Sequence, residues 1–144
     1  MLNLGVEVLD FSLPTPDGIR LSLSDLRRGK KVTLLNFWFL YCPPCRKEFP
    51  EFQKLQDEFG PKGLAIVAVD RGDAPEDVAG FLQKQGFRFP VVMGGGDTSP
   101  VFAPFKIVTF PLTYLLNTKG QVVYRSVGID IEGLREALNG LGLN

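Results

Sequence analysis

Apolar residues along the chain follow two spacings, and the alternation between them lays out a succession of elements. Asp10 to Leu13 and Ile19-Arg20-Leu21-Ser22-Leu23 alternate with period two around the turn sequence Pro14-Thr15-Pro16-Asp17-Gly18, which predicts a β-hairpin. Ser24-Asp25-Leu26 can cap a short helical turn. Val32 to Phe39 is a near-continuous apolar run rich in β-branched and aromatic residues, as in a strand covered on both faces. Beyond it, Phe49, Phe52, Leu55 and Phe59 recur at three- to four-residue intervals, the stripe of an amphipathic helix ending near Gly60. Pro50 removes a backbone donor inside that helix and predicts a bend.

Leu64 to Val69 reads as a second buried strand. Pro75 to Gln85 reads as a second helix, with proline in its first turn and Gly86 just past its end. Phe89 to Met93 predicts a short strand and Ser99 to Phe105 a helical turn. Pro111 to Leu116 and Gln121 to Arg125 flank Asn117-Thr118-Lys119-Gly120, a strong hairpin loop, and Ile131 to Leu138 predicts a closing helix. Strands separated by helices must run parallel, whereas a four-residue loop forces its strands antiparallel. The expected fold class is therefore α/β: a central mixed β-sheet flanked by helices, with an added N-terminal β-hairpin. A chain of 144 residues is the size of one domain, so residues 1–144 are expected to form a single one.

Composition narrows the chemistry. Sixteen basic and sixteen acidic residues leave no net formal charge, so no nucleic-acid or acidic-membrane partner is expected. The chain contains no His, which removes Ser-His and Cys-His sites and the commonest transition-metal ligand. Its two cysteines both lie in one C-x-x-C, too few for a four-thiolate zinc site, and no metal is expected. The first residues lack the basic and apolar regions of a signal peptide, and the apolar stretch from Leu34 to Tyr41 is far too short to span a bilayer. Gly94-Gly95-Gly96 lacks the spacing of a nucleotide loop and reads as a flexible connection.

Position gives the cysteine pair its meaning. In Tyr41-Cys42-Pro43-Pro44-Cys45-Arg46 the motif joins a buried strand to a helix. Cys42 then falls at the helix N-terminus, where free N–H groups and the macrodipole favour a thiolate, and Cys45 lies one turn later on the same side. Cys42 is expected to point outward as the nucleophile and Cys45 to be buried as the resolving thiol of a thiol-disulfide oxidoreductase. Pro43 and Pro44 suit a first helical turn, whose donors have no partner in any case. A purely structural bridge or a pair of inert thiols is the other reading, but a bridge closing so small a loop stabilises little.

Asn36 to Pro50, with the cysteines at its centre, resembles the active-site stretch of the TlpA/ResA-type branch of thioredoxin-like proteins. The segment up to Leu26 resembles that branch's N-terminal hairpin, and Phe110-Pro111 resembles the cis-proline loop of the thioredoxin-like fold. The resemblance implies exchange or reduction of protein disulfides, with apocytochrome c among the substrate types. It implies protein thiols or disulfides and an electron-donor or acceptor protein as partners, and no cofactor beyond the redox-active Cys42-Cys45 pair. It also implies a place on the periplasmic side of a bacterial envelope if a leader or anchor precedes this segment, the cytoplasm being the alternative. A monomer is expected.

By the same likeness Glu48 tunes the cysteines or carries the resolving proton, and i, i+3 spacing from Cys45 permits it. Pro111, in a cis bond, would turn the backbone at Phe110 toward the sulfurs so that an extended peptide can bond to it. Tyr41, Pro43, Pro44, Phe110, Pro111 and Trp38 are the candidate substrate-contacting residues, although Trp38, like Phe37 and Phe39, can equally be core. Asn36 stands where cytoplasmic thioredoxins carry a buried Asp, which shifts proton transfer toward Glu48 or water. Two alternatives remain. One is a peroxiredoxin-like thiol peroxidase, against which Phe39 occupies the place of a required hydroxyl residue; the other is a non-catalytic thioredoxin-like binding module.

Overall fold

The computed structural model describes residues 1–96, 99, 101–105 and 107–144. Two strands, β1 (Ser12–Pro14) and β2 (Arg20–Ser22), pair antiparallel as the predicted hairpin, and α1 (Leu23–Arg27) follows directly. Its cap is Ser22, whose Oγ accepts the Asp25 N–H at 3.1 Å, two residues earlier than Ser24. The chain continues through β3 (Val32–Trp38), α2 (Pro43–Phe59), a 3-10 turn (Gly60–Lys62), β4 (Leu64–Asp70), α3 (Pro75–Gln85) and β5 (Val91–Met93). A second 3-10 turn (Ala103–Phe105), β6 (Leu112–Leu116), β7 (Val122–Val127) and α4 (Ile131–Gly140) complete it. The turn expected over Ser99 to Phe105 forms at its end; Pro100 lies outside the described residues.

The main sheet has the order β5-β4-β3-β6-β7, with β3, β4 and β5 parallel and β6 and β7 antiparallel at one side. Every residue of β3, β4 and β6 is buried, as the unbroken apolar runs require of central strands. Leu34, Trp38, Ile66, Ala68 and Leu115 face a core shared with α2, α3 and α4. Leu35, Phe37, Val67, Val69 and Tyr114 face a second core under α1, the hairpin and the second 3-10 turn. Period two thus assigns alternate residues of each strand to opposite cores.

Helix α2 is tied down by its apolar stripe. Phe49, Phe52, Leu55 and Phe59 are all buried, each worth roughly 1.5–3 kcal/mol against exposure. Pro50 is exposed on the opposite side, and the helix continues across it to Phe59. This stripe orients the first turn of α2, and with it the cysteines, against the C-terminal ends of β3 and β4. Among the described residues no helix is long and apolar enough to cross a membrane.

Candidate active site

Cys42 is the N-cap of α2 and forms a disulfide with Cys45, one turn into the helix, their Cα atoms 5.3 Å apart. The chain can start a helix here because Pro43 and Pro44 occupy positions that need no donor, while Cys42 keeps extended backbone angles (φ −93°, ψ 104°). The Cys45 N–H donates to Cys42 Sγ at 3.3 Å, so a donor of the helix terminus already points at the sulfur that would carry charge after reduction. Cys45 is fully buried, as expected. Cys42 does not stand out from the surface: it is 4% exposed, between an exposed Tyr41 and exposed Pro43 and Pro44. Its N-cap geometry turns the side chain back over the first turn, which corrects the expectation of an outward thiol.

Glu48 departs from an ordinary helix glutamate. It is fully buried on the Cys45 side of α2, and neither carboxyl oxygen has a hydrogen-bond partner. Burial pushes its carboxyl up to about 8, against a smaller opposing pull from Asn36. Asn36 sits on the facing strand β3 and is itself anchored, its Nδ2 donating to Thr113 Oγ1 at 3.1 Å. The amide of Asn36 thus holds a position beside the carboxyl without adding a charge, and Glu48 is the ionisable side chain within one helical turn of Cys45 on the buried side.

The Phe110-Pro111 peptide is cis. Pro111 precedes Leu112, which pairs with Phe37 near the C-terminal end of β3, so the loop lies at the sheet end where the cysteines emerge. Phe110 packs against the core cluster that contains both cysteines and meets Phe39 edge-on at 5.5 Å. The Arg71 guanidinium lies over both rings, 5.5 Å from Phe110 and 6.0 Å from Phe39. Trp38 is no part of this surface. It is fully buried against Phe49 at 4.5 Å between ring centroids, because β3 is covered on both faces along its whole length. Tyr41, Pro43, Pro44, Phe110 and Pro111 are brought to one end of the molecule, and Trp38 belongs to the core.

Asp70 and Asp73 were no part of the site expected from the sequence. Asp70 ends β4 fully buried, its Oδ1 accepting the Asp73 N–H at 2.8 Å, while Asp73 Oδ2 accepts the Leu40 N–H at 2.7 Å. The signal was a carboxylate closing an unbroken apolar strand. The adjoining Gly94 and Gly96 are not a loose connection: their N–H groups donate to Asp70 O at 2.7 Å and Arg71 O at 2.6 Å. A Cβ on Gly94 would fall 2.5 Å from Asp70 O, and one on Gly72 would fall 2.8 Å from Gly96 Cα, so these backbones meet where only glycine fits.

Residues 4–125 match the AhpC/TSA family. The thioredoxin-like protein YneN of Bacillus subtilis is 39% identical over 127 residues, covering 86% of this chain and 71% of that protein. The thiol-disulfide oxidoreductase ResA of the same organism is 37% identical over 134 residues, covering 92% of this chain and 72% of its own. Among solved structures, the thioredoxin domain of a thiol-disulfide oxidoreductase from Bacteroides vulgatus superposes with a TM-score of 0.86 at 26% identity, covering all of both chains.

Proposed function

The chain belongs to the AhpC/TSA family and is a thiol-disulfide oxidoreductase of the thioredoxin-like fold, and from that premise we propose a mechanism in which Cys42 attacks, Cys45 resolves and Glu48 carries the proton. In the reducing direction the Cys42 thiolate attacks one sulfur of a substrate disulfide. A Cys42-substrate disulfide forms and the other substrate sulfur leaves as a thiolate. Cys45, having lost its proton, then attacks Cys42 Sγ. The Cys42-Cys45 bond reforms, the second substrate thiolate departs, and two electrons have passed to the substrate. The pair needs no further cofactor.

Burial of Cys45 and Glu48 on the same side of α2 carries this reading. A resolving thiol shut away from solvent needs a nearby base, and a carboxyl held near neutrality by burial suits proton transfer around pH 7–8. Because Cys42 is almost wholly buried, a substrate reaches it best as an extended, unfolded segment laid along the edge formed by Tyr41, Pro43, Pro44, Phe110 and Pro111. Apocytochrome c thiols, an electron-donor or acceptor protein and a place outside the cytoplasm follow from the TlpA/ResA resemblance. Disulfide exchange is favoured over peroxide reduction by Phe39, which fills the position three before Cys42 with an aromatic ring packed on Phe110 and offers no hydroxyl.

Cys45→Ser decides the assignment of roles. The variant is expected to accumulate mixed disulfides through Cys42, visible on non-reducing gels, whereas Cys42→Ser is expected to form none. Trapping through the other cysteine reverses the roles, and peroxide turnover matching disulfide reduction overturns the reaction. For Glu48, the expected result of Glu48→Gln is a changed Cys45 titration in the reduced protein; identical thiol titrations would remove its role.

A further inference from the structure

Two hydrogen bonds fasten the approach to Cys42 onto the turn after β4, and two more brace the turn and the approach themselves. The Leu40 N–H donates to Asp73 Oδ2 at 2.7 Å, the Arg71 N–H to Trp38 O at 2.8 Å, the Asp73 N–H to Asp70 Oδ1 at 2.8 Å, and the Cys42 N–H back to Phe39 O at 3.2 Å. The segment between β3 and α2 thus hangs from the Asp70-Arg71-Gly72-Asp73 turn. That turn is braced from behind by the N–H groups of Gly94 and Gly96.

One atom in this assembly is left over. Asp70 Oδ2 is buried and accepts no hydrogen bond, while Oδ1 accepts the Asp73 N–H. An Asn at this position would accept the same Asp73 N–H without a charge to bury, whereas the acid holds its proton beside the Asp73 carboxyl. We propose that Asp70 is a positioning residue for Cys42, acting through Asp73, and that the hold is intact only while Asp70 keeps its proton.

Its neighbours explain why losing that proton matters. Across the sheet Asp70 is flanked by Trp38 on β3 and Met93 on β5, and neither bears a charge. Among the described residues Asp73, in its own turn, is the charged group that acts on it, and the neighbouring Arg71 guanidinium is engaged over the Phe39 and Phe110 rings. Ionised Asp70 therefore faces the Asp73 carboxylate in a buried setting, and repulsion pushes Asp73 off the Leu40 N–H. Burial first and Asp73 second raise the Asp70 carboxyl to about 8, so the hold is lost as pH climbs through that value.

The inference rests on Cys42 being the nucleophile, and the test separates the two. The full-length reduced protein is alkylated with iodoacetamide from pH 6 to 10, with Cys42 modification followed by mass spectrometry in wild type, Asp70→Asn and Asp70→Leu. Thiol and Glu48 titrations are common to wild type and Asp70→Asn and cancel in the ratio of their rates. That ratio is expected to be flat below about pH 7 and to fall at least about threefold between pH 7 and 9. Asp70→Leu, which cannot accept the Asp73 N–H, is expected to react about tenfold to a hundredfold more slowly than Asp70→Asn at pH 7. A flat ratio over the whole range, or a Leu variant as fast as the Asn variant, overturns the proposal; if the Leu variant does not fold, the ratio alone decides. Wild-type protein alkylated at Cys45 in preference to Cys42 strikes instead at the assignment of the nucleophile, and the present inference falls with it.

Discussion

The two faces of the central sheet differ in which buried polar groups they leave without partners. Under α1 and the hairpin, Tyr114 is the large polar side chain, its hydroxyl accepting the Leu2 N–H at 2.8 Å and donating to Phe105 O at 2.9 Å, while Arg27 Nε on α1 is buried without a partner. On the α2 face, Asn36 Oδ1, Trp38 Nε1, both oxygens of Glu48, Asp70 Oδ2 and Ser126 Oγ are buried with no hydrogen-bond partner. Each such group ordinarily costs roughly 1–3 kcal/mol. The unpartnered carboxyl oxygens, those of Glu48 and Asp70, lie on the face that carries the cysteines, where chemistry can use them.

Glu48→Gln tests this contrast most severely. The native state holds the Glu48 proton to about pH 8, whereas the unfolded chain releases it near 4.5. The unfolded state therefore binds fewer protons between those values, and wild-type stability falls as pH rises through that window. The Gln variant escapes the penalty. It is expected to match wild type near pH 4 and to exceed it by on the order of 3–5 kcal/mol above pH 8, as read by urea unfolding at a series of pH values. A difference independent of pH would mean that Glu48 is ionised in the folded protein.

A smaller effect of opposite sign is expected on the other face. Tyr114→Phe removes a hydroxyl engaged on both sides, leaving Leu2 N–H and Phe105 O without it. Stability should drop by about 1–3 kcal/mol with disulfide-exchange rates unchanged. Loss of activity in parallel with stability would show that the two faces are not separable. Ser126→Ala sharpens the comparison at its lower limit: a hydroxyl with no partner can be deleted within about 0.5 kcal/mol of wild type, and a larger loss would reveal an unrecognised bond.

Much of this architecture was legible in the chain. The strands β3 and β4, the helix from Pro75 to Gln85 and the hairpin around Asn117 to Gly120 each declare themselves through a local period and a local stop signal. So does the placement of the cysteines at a strand-to-helix junction. Misreadings arose where burial depends on distant partners. Cys42 was expected to project, Trp38 could have been surface or core, and Gly94 to Gly96 resembled a slack loop until the backbone of Asp70 to Gly72 was seen pressed against it. Asp70 offered only a carboxylate at the end of an apolar run.

The sequence by itself determined the order of the elements, the sheet's mixed direction and the chemistry available at Cys42 and Cys45, because helix and strand periods, turn residues and thiol reactivity are properties of neighbours in the chain. Only the tertiary structure decided that Glu48 and Asp70 are enclosed without partners and that Leu40 is held from β4. Desolvation depends on every element packed around a group, and no local pattern records it.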